Sequence, residues 1–219
     1  MHTSINRRKF FKSSATLAAG FTACSFLGST ACAHDVQDEK SRFMIGPMEG
    51  YSPHVGTLVS MLNYNRQTII DAVQKLTMAE TDFLFDAKSN TIGALVMHLG
   101  ATEKFYQVNT FEGRQELNKD EKRDWEPAMT LGDMGRKAIK GQEVKVYLDR
   151  IAAVREKTLA EFKKKDDAWL LAVDPQWSKG RDALNTYWKW FHVCEHESNH
   201  RGQITWLKGR LPGAKSGSD

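Results

Sequence analysis

Near the C-terminal end of the sequence His192, His196 and His200 stand at successive intervals of four residues. That spacing puts side chains on one face of a helix, about 5–6 Å apart at Cβ. Two imidazoles so placed can reach one divalent ion at about 2.0–2.1 Å. With an open coordination position, such an ion assists hydrolysis or group transfer. A third ligand is required, and of the seven histidines His98 is the best placed. It lies on another helical segment, on the side of Leu95, where two packed helices can bring it to the pair. His54 begins a different helix and falls about 20 Å from that level at 1.5 Å per residue. The expected centre is therefore His98, His196 and His200, with water in the fourth position. Zinc is the first choice, and nickel, iron or manganese also suit imidazole. His192 shares the face one turn away, and it and Glu197 are the candidate proton acceptors.

Two look-alike patterns do not hold. His196-Glu197-Ser198-Asn199-His200 fits H-E-x-x-H, but no histidine follows it, and Gln203 and Trp206 stand where a longer zinc-protease motif continues. Glu197-x-x-His200 also fits the E-x-x-H of di-iron bundles, which need a second copy. Leu95 stands three residues before His98, so the copy is missing.

Four segments have the apolar spacing of helices that could position these groups. They run from about Pro53 to Leu76, Asn90 to Phe111, Gln142 to Lys165, and Asp182 to Arg210. Ser52 is the expected cap of the first, and Ser89 or Asn90 of the second. In the fourth, Leu184, Trp188, Phe191, Ile204 and Leu207 form the expected inward stripe. All five prolines are expected outside helix interiors. Gly202 sits inside the fourth helix, where glycine costs roughly 1 kcal/mol against alanine, so a close-packed neighbour is expected there. The fold class is all-α, a four-helix bundle over residues 52–211. The long charged link from Glu112 to Gly141 suggests a crossover between the second and third helices, and so an up-down-down-up order. Residues 34–51 read as a loose N-terminal tail and 212–219 as a flexible C-terminal tail.

Residues 1–33 read as a signal peptide. Arg7-Arg8-Lys9-Phe10-Phe11-Lys12, a short apolar stretch and Ala31-Cys32-Ala33 fit a twin-arginine type of leader, which implies export, to the periplasm. A lipid anchor at Cys24 is the less favoured alternative. The leader carries four basic residues and no acid, so without it 27 basic residues face 27 acidic ones. That balance excludes charge as an argument for nucleic acid. No segment is long and apolar enough for a stable membrane span.

His98-Leu99 with Glu103, and the run from His192 through His196, His200, Arg201-Gly202-Gln203 to Ile204, resemble the DinB/YfiT-like superfamily of metal-dependent enzymes. The family's late helix usually carries one more histidine, where this chain has Asn199. The resemblance covers about Ser52 to Leu211. It implies a four-helix bundle with a long crossover, a divalent metal on His98, His196 and His200, and frequent homodimers. Relatives include thiol-dependent transferases and isomerases. The expectation is an exported metal-dependent hydrolase or group transferase acting on a small molecule. The alternative is a non-catalytic metal-binding or stress-related bundle.

Overall fold

The computed structural model describes residues 42–180 and 182–214. Among these the helices are α1 (Pro53–Val73), α2 (Met78–Thr81), α3 (Ile92–Phe111), α4 (Lys119–Thr130), α5 (Gly132–Ala138), α6 (Val144–Phe162), α7 (Asp167–Leu171) and α8 (Thr186–Lys208). The described residues include no strand beyond an isolated bridge between Val173 and Asn185. The leader and Cys24 lie outside them, and no described helix is long and apolar enough to cross a membrane.

The long helices α1, α3, α6 and α8 form the bundle, and side-chain pairings fix their directions. Arg66 reaches the Ile151 carbonyl and Arg155 the Leu62 carbonyl, so α1 and α6 are antiparallel. Gln107 reaches Val154 and Thr158 while Gly93 faces Tyr147, so α3 and α6 are parallel. Asn65 bonds Cys194 and Lys208 bonds the Ala72 carbonyl, so α1 and α8 are parallel. The order is up-down-down-up, as the long connection implied.

That connection is not a bare linker. It folds into α4 and α5 because Asn118 and Glu121 cap each other reciprocally at 2.9 Å and Trp125, Ala128 and Met129 turn inward. Lys104 binds Glu121 at 2.8 Å and ties α4 to α3. Pro127 lies inside α4, against expectation. Its ring removes the helical bond to the carbonyl of Arg123, an exposed residue, and the helix ends four residues later at Leu131, with φ 57°.

Other expectations change in detail. Ser52 does not cap α1 with its side chain. Its hydroxyl donates to Asp167 Oδ1 at 2.6 Å, and that carboxylate accepts the His54 N–H at 2.9 Å, so α7 caps α1 from outside. Thr91, rather than Ser89 or Asn90, caps α3 through the Ala94 N–H. The part of the N-terminal segment that is described is docked on α1: Met48 packs against Gly56, and Arg42 pairs with Asp71 at 2.9 Å. In α8, Trp188 and Phe191 are exposed and the inward face carries Lys189, Trp190, Val193, Cys194, Glu197, His200, Ile204 and Leu207. Buried polar residues set the phase of that helix, which a count of apolar residues alone misplaces.

Candidate metal centre

His98 projects from the first half of α3, and His196 and His200 project from the middle of α8. The antiparallel packing of these helices brings the three rings together. His196 Nε2 lies 3.2 Å from His98 Nε2 and 3.2 Å from His200 Nε2. These three form the described group of ligand-type side chains close enough to share an ion. Ligand bonds of about 2.0–2.1 Å in a tetrahedral set separate the donor atoms by roughly 3.3–3.4 Å. Both distances from His196 lie close to that value, and all three donor atoms lie within 4.8 Å of one another.

Neighbouring groups decide which nitrogen carries each proton. His98 Nδ1 lies 2.8 Å from the carbonyl oxygen of Ala128, which can only accept, so the proton sits on Nδ1. This carbonyl is among the last four of α4 and has no partner within its own helix. The N–H of Gly132 that would otherwise approach it donates to Asn90 Oδ1 instead. The end of the crossover helix thus orients a residue of α3. His200 Nδ1 lies 3.0 Å from Gln203 Oε1, one turn along α8, and is fixed in the same sense. Both Nε2 lone pairs then face His196. Lone pairs so directed share either a proton on His196 Nε2 or a cation, and the donor set fits a divalent metal. The Nδ1 of His196 is buried without a partner among the described residues.

Electrostatics agree. Burial lowers the pKa of His98, and His200 adds to the effect against the opposing bond to Ala128. Burial, then His200, His98 and His192, push His196 down to about 3. Burial also lowers His200. All three rings are held neutral, the form that ligates.

The candidate proton acceptors are placed differently. His192 is outside the trio; its ring centre is 5.5 Å from that of His196, and its Nδ1 is 3.0 Å from the Tyr106 hydroxyl. Glu197 points into the centre of the bundle. Its Oε1 accepts from Arg66 Nη2 at 2.5 Å and Arg155 Nη2 at 2.9 Å. Glu103 completes the group, bonded to Arg66 at 2.8 Å and Arg155 at 2.7 Å. Burial alone would raise the Glu103 carboxyl, but Arg155 and Arg66 outweigh it and hold it below the usual glutamate range. The expected proton acceptor Glu197 is thus placed in a buried quartet joining all four bundle helices: its Oε1 is taken by the two arginines, and its Oε2 is buried without a hydrogen-bond partner among the described residues. Arg66, Arg155 and the Ala128 carbonyl were not identified from sequence. The signal for the arginines was available, since each follows an inward apolar residue by four, Leu62 and Ile151.

Gly202 also departs from expectation. A Cβ built there meets nothing within 4 Å. The residue instead lines a cleft of about 500 Å³ with Lys88, Asn90, Asn199, Gln203 and Trp206. Gln203 joins this cleft to the histidines. His54 packs near Tyr187, at the other end of α8 from His200. Cys194 is buried and bonded by Asn65, as a core residue.

Residues 57–213 match the family described as Mycothiol-S-transferase. Comparison with curated proteins gives no match.

Proposed function

The chain belongs to the mycothiol-S-transferase family, within the DinB/YfiT-like superfamily, and from that premise we propose that it is a divalent-metal-dependent transferase joining a low-molecular-weight thiol to an electrophilic small molecule. The observation that carries this reading is the convergence of three neutral Nε2 atoms on one point. His98, His196 and His200 would hold the cation, with zinc favoured and nickel, iron or manganese also compatible with imidazole. When bound, such an ion lowers the pKa of a coordinated thiol or water and supplies a nucleophile at neutral pH.

The remaining work falls to the chain itself. The Ala128 carbonyl and Gln203 fix the rings of His98 and His200. The quartet of Arg66, Glu103, Arg155 and Glu197 holds α3 and α8 in register beneath them. The cleft beside Gln203 offers amides at Asn199 and Gln203, an ammonium at Lys88 and the Trp206 ring to a polar thiol. The Arg7-Arg8 leader supports export of the folded chain as part of the same proposal, so the thiol is defined by its chemistry and not by compartment.

The test is S-transfer to monobromobimane with zinc-loaded protein and mycothiol, with cysteine as a second thiol. The expected result is thiol consumption well above the buffer rate, abolished by His200→Ala. Metal retained in the wild type with no acceleration for either thiol would favour the non-catalytic metal-binding alternative.

A further inference from the structure

Tyr106 and His192 form a polar pair beside the three histidines that metal binding does not use. Tyr106 projects from α3 one helical stretch beyond His98, is 4% exposed, and sits among Phe105, Trp177 and Trp190. Its hydroxyl lies 3.0 Å from His192 Nδ1. No other protein acceptor bonds that hydroxyl among the described residues. Burial, with Glu195 adding to it, pushes the phenol up to about 12, so it keeps its proton at any physiological pH. The other face of His192 is fixed as well. Trp188 stacks on it with rings 13° from parallel and centres 5.7 Å apart. That indole is 44% exposed and lines a cleft of about 530 Å³ with Val173, Leu184 and Asn185.

Two arrangements of the shared proton are possible. If His192 Nδ1 carried it and donated to the phenol oxygen, the O–H of Tyr106 would be left buried with nothing to bond. Leaving a buried donor unsatisfied disfavours that arrangement by roughly tenfold or more. With the phenol as donor, Nδ1 is the acceptor and the neutral ring carries its proton on Nε2.

We propose that Tyr106 is a positioning residue: its hydroxyl holds His192 in the Nε2–H tautomer and makes His192 a hydrogen-bond donor to negative charge developing on the acceptor substrate. His192 is then a donor and not the proton acceptor that its spacing suggested. Such a donor suits an electrophile whose charge gathers on oxygen, because a preorganised N–H is most useful where charge appears during reaction. The use of the donor rests on the transferase reading above, whereas the tautomer does not.

Long-range 15N–1H NMR of histidine-labelled protein reads the tautomer directly. In the wild type at pH 8, zinc-loaded or chelated, His192 should show a protonated Nε2 and a bare Nδ1. In Tyr106→Phe, which keeps the ring packing, the two nitrogens should average between tautomers. With zinc content unchanged, kcat for S-transfer should fall about tenfold or more while KM for the thiol stays constant. A wild-type His192 protonated on Nδ1 would overturn the proposal, and that spectrum decides it even if the variant folds poorly. An unchanged pattern in folded Tyr106→Phe, or a rise in KM with kcat intact, would overturn it too. Because the pattern is read with or without metal, its failure is distinct from a failure to bind metal or to transfer sulfur.

Discussion

Replacing Arg66 by methionine removes the residue that joins both buried carboxylates from α1. Arg66 donates to Glu103, to Glu197 and to the Ile151 carbonyl, and its side chain is only 7% exposed. Without it Glu103 and Glu197, at 0% and 1% exposure, share Arg155 alone. One negative charge is then buried without compensation. Breaking a buried pair in this way costs about 3–5 kcal/mol. For a domain of this size each kcal/mol lowers the melting temperature by roughly 2–4 °C, which places the loss at roughly 6–20 °C. Equilibrium urea unfolding, followed by tryptophan fluorescence on chelated protein, should show a lower midpoint with an unchanged slope. The double replacement Arg66→Met with Glu197→Gln leaves Arg155 and Glu103 as a balanced pair and should recover much of the loss. A loss below about 1 kcal/mol for Arg66→Met, or a double variant no more stable than the single one, would refute the reasoning.

The depressed Glu103 carboxyl sets a pH dependence. Because its folded value lies below the ordinary 4.5, its contribution is present above that pH and is lost as pH falls through the folded value. The urea midpoint of chelated protein should thus fall below about pH 4.5, and a flat profile down to pH 3 would contradict the assignment. Glycines separate packing from propensity. Gly202→Ala meets no atom and should stabilise by about 1 kcal/mol with metal content unchanged. Gly100→Ala places a methyl 2.7 Å from Ile151 Cγ2 and should destabilise by about 1–3 kcal/mol in urea unfolding of the chelated protein.

Much of the bundle is legible because apolar periodicity marks a buried face wherever apolar residues do the burying. The first and third long helices follow their stripes closely, at Leu58, Leu62 and Ile69 and at Val144, Ile151 and Phe162. The last one does not. Its inward face includes Lys189 and Glu197, each buried against a partner distant in sequence, and no local pattern announces Asn109. The histidine trio was legible for a related reason: spacing of four on one helix is local, and His98 is the histidine at a matching level on another. What orients those rings was hidden. The Ala128 carbonyl has no side-chain signature, and it is free only because α4 ends where it does. Tyr106 reads as an ordinary core aromatic until α3 and α8 are seen to run antiparallel, which places it opposite His192. Gly202 misled because helix propensity prices a missing side chain but does not say whether the space is filled by a neighbour or left open as a cleft wall.

Elemental analysis of the purified chain, prepared without chelator and compared with His98→Ala, bears most directly on the three-histidine centre. Close to one divalent ion per chain in the wild type is predicted. The folded His98→Ala variant, with an unchanged far-ultraviolet spectrum, should lose it, since three protein ligands define such a site. A folded wild type that carries no divalent metal and takes up none on dialysis against zinc would contradict the account.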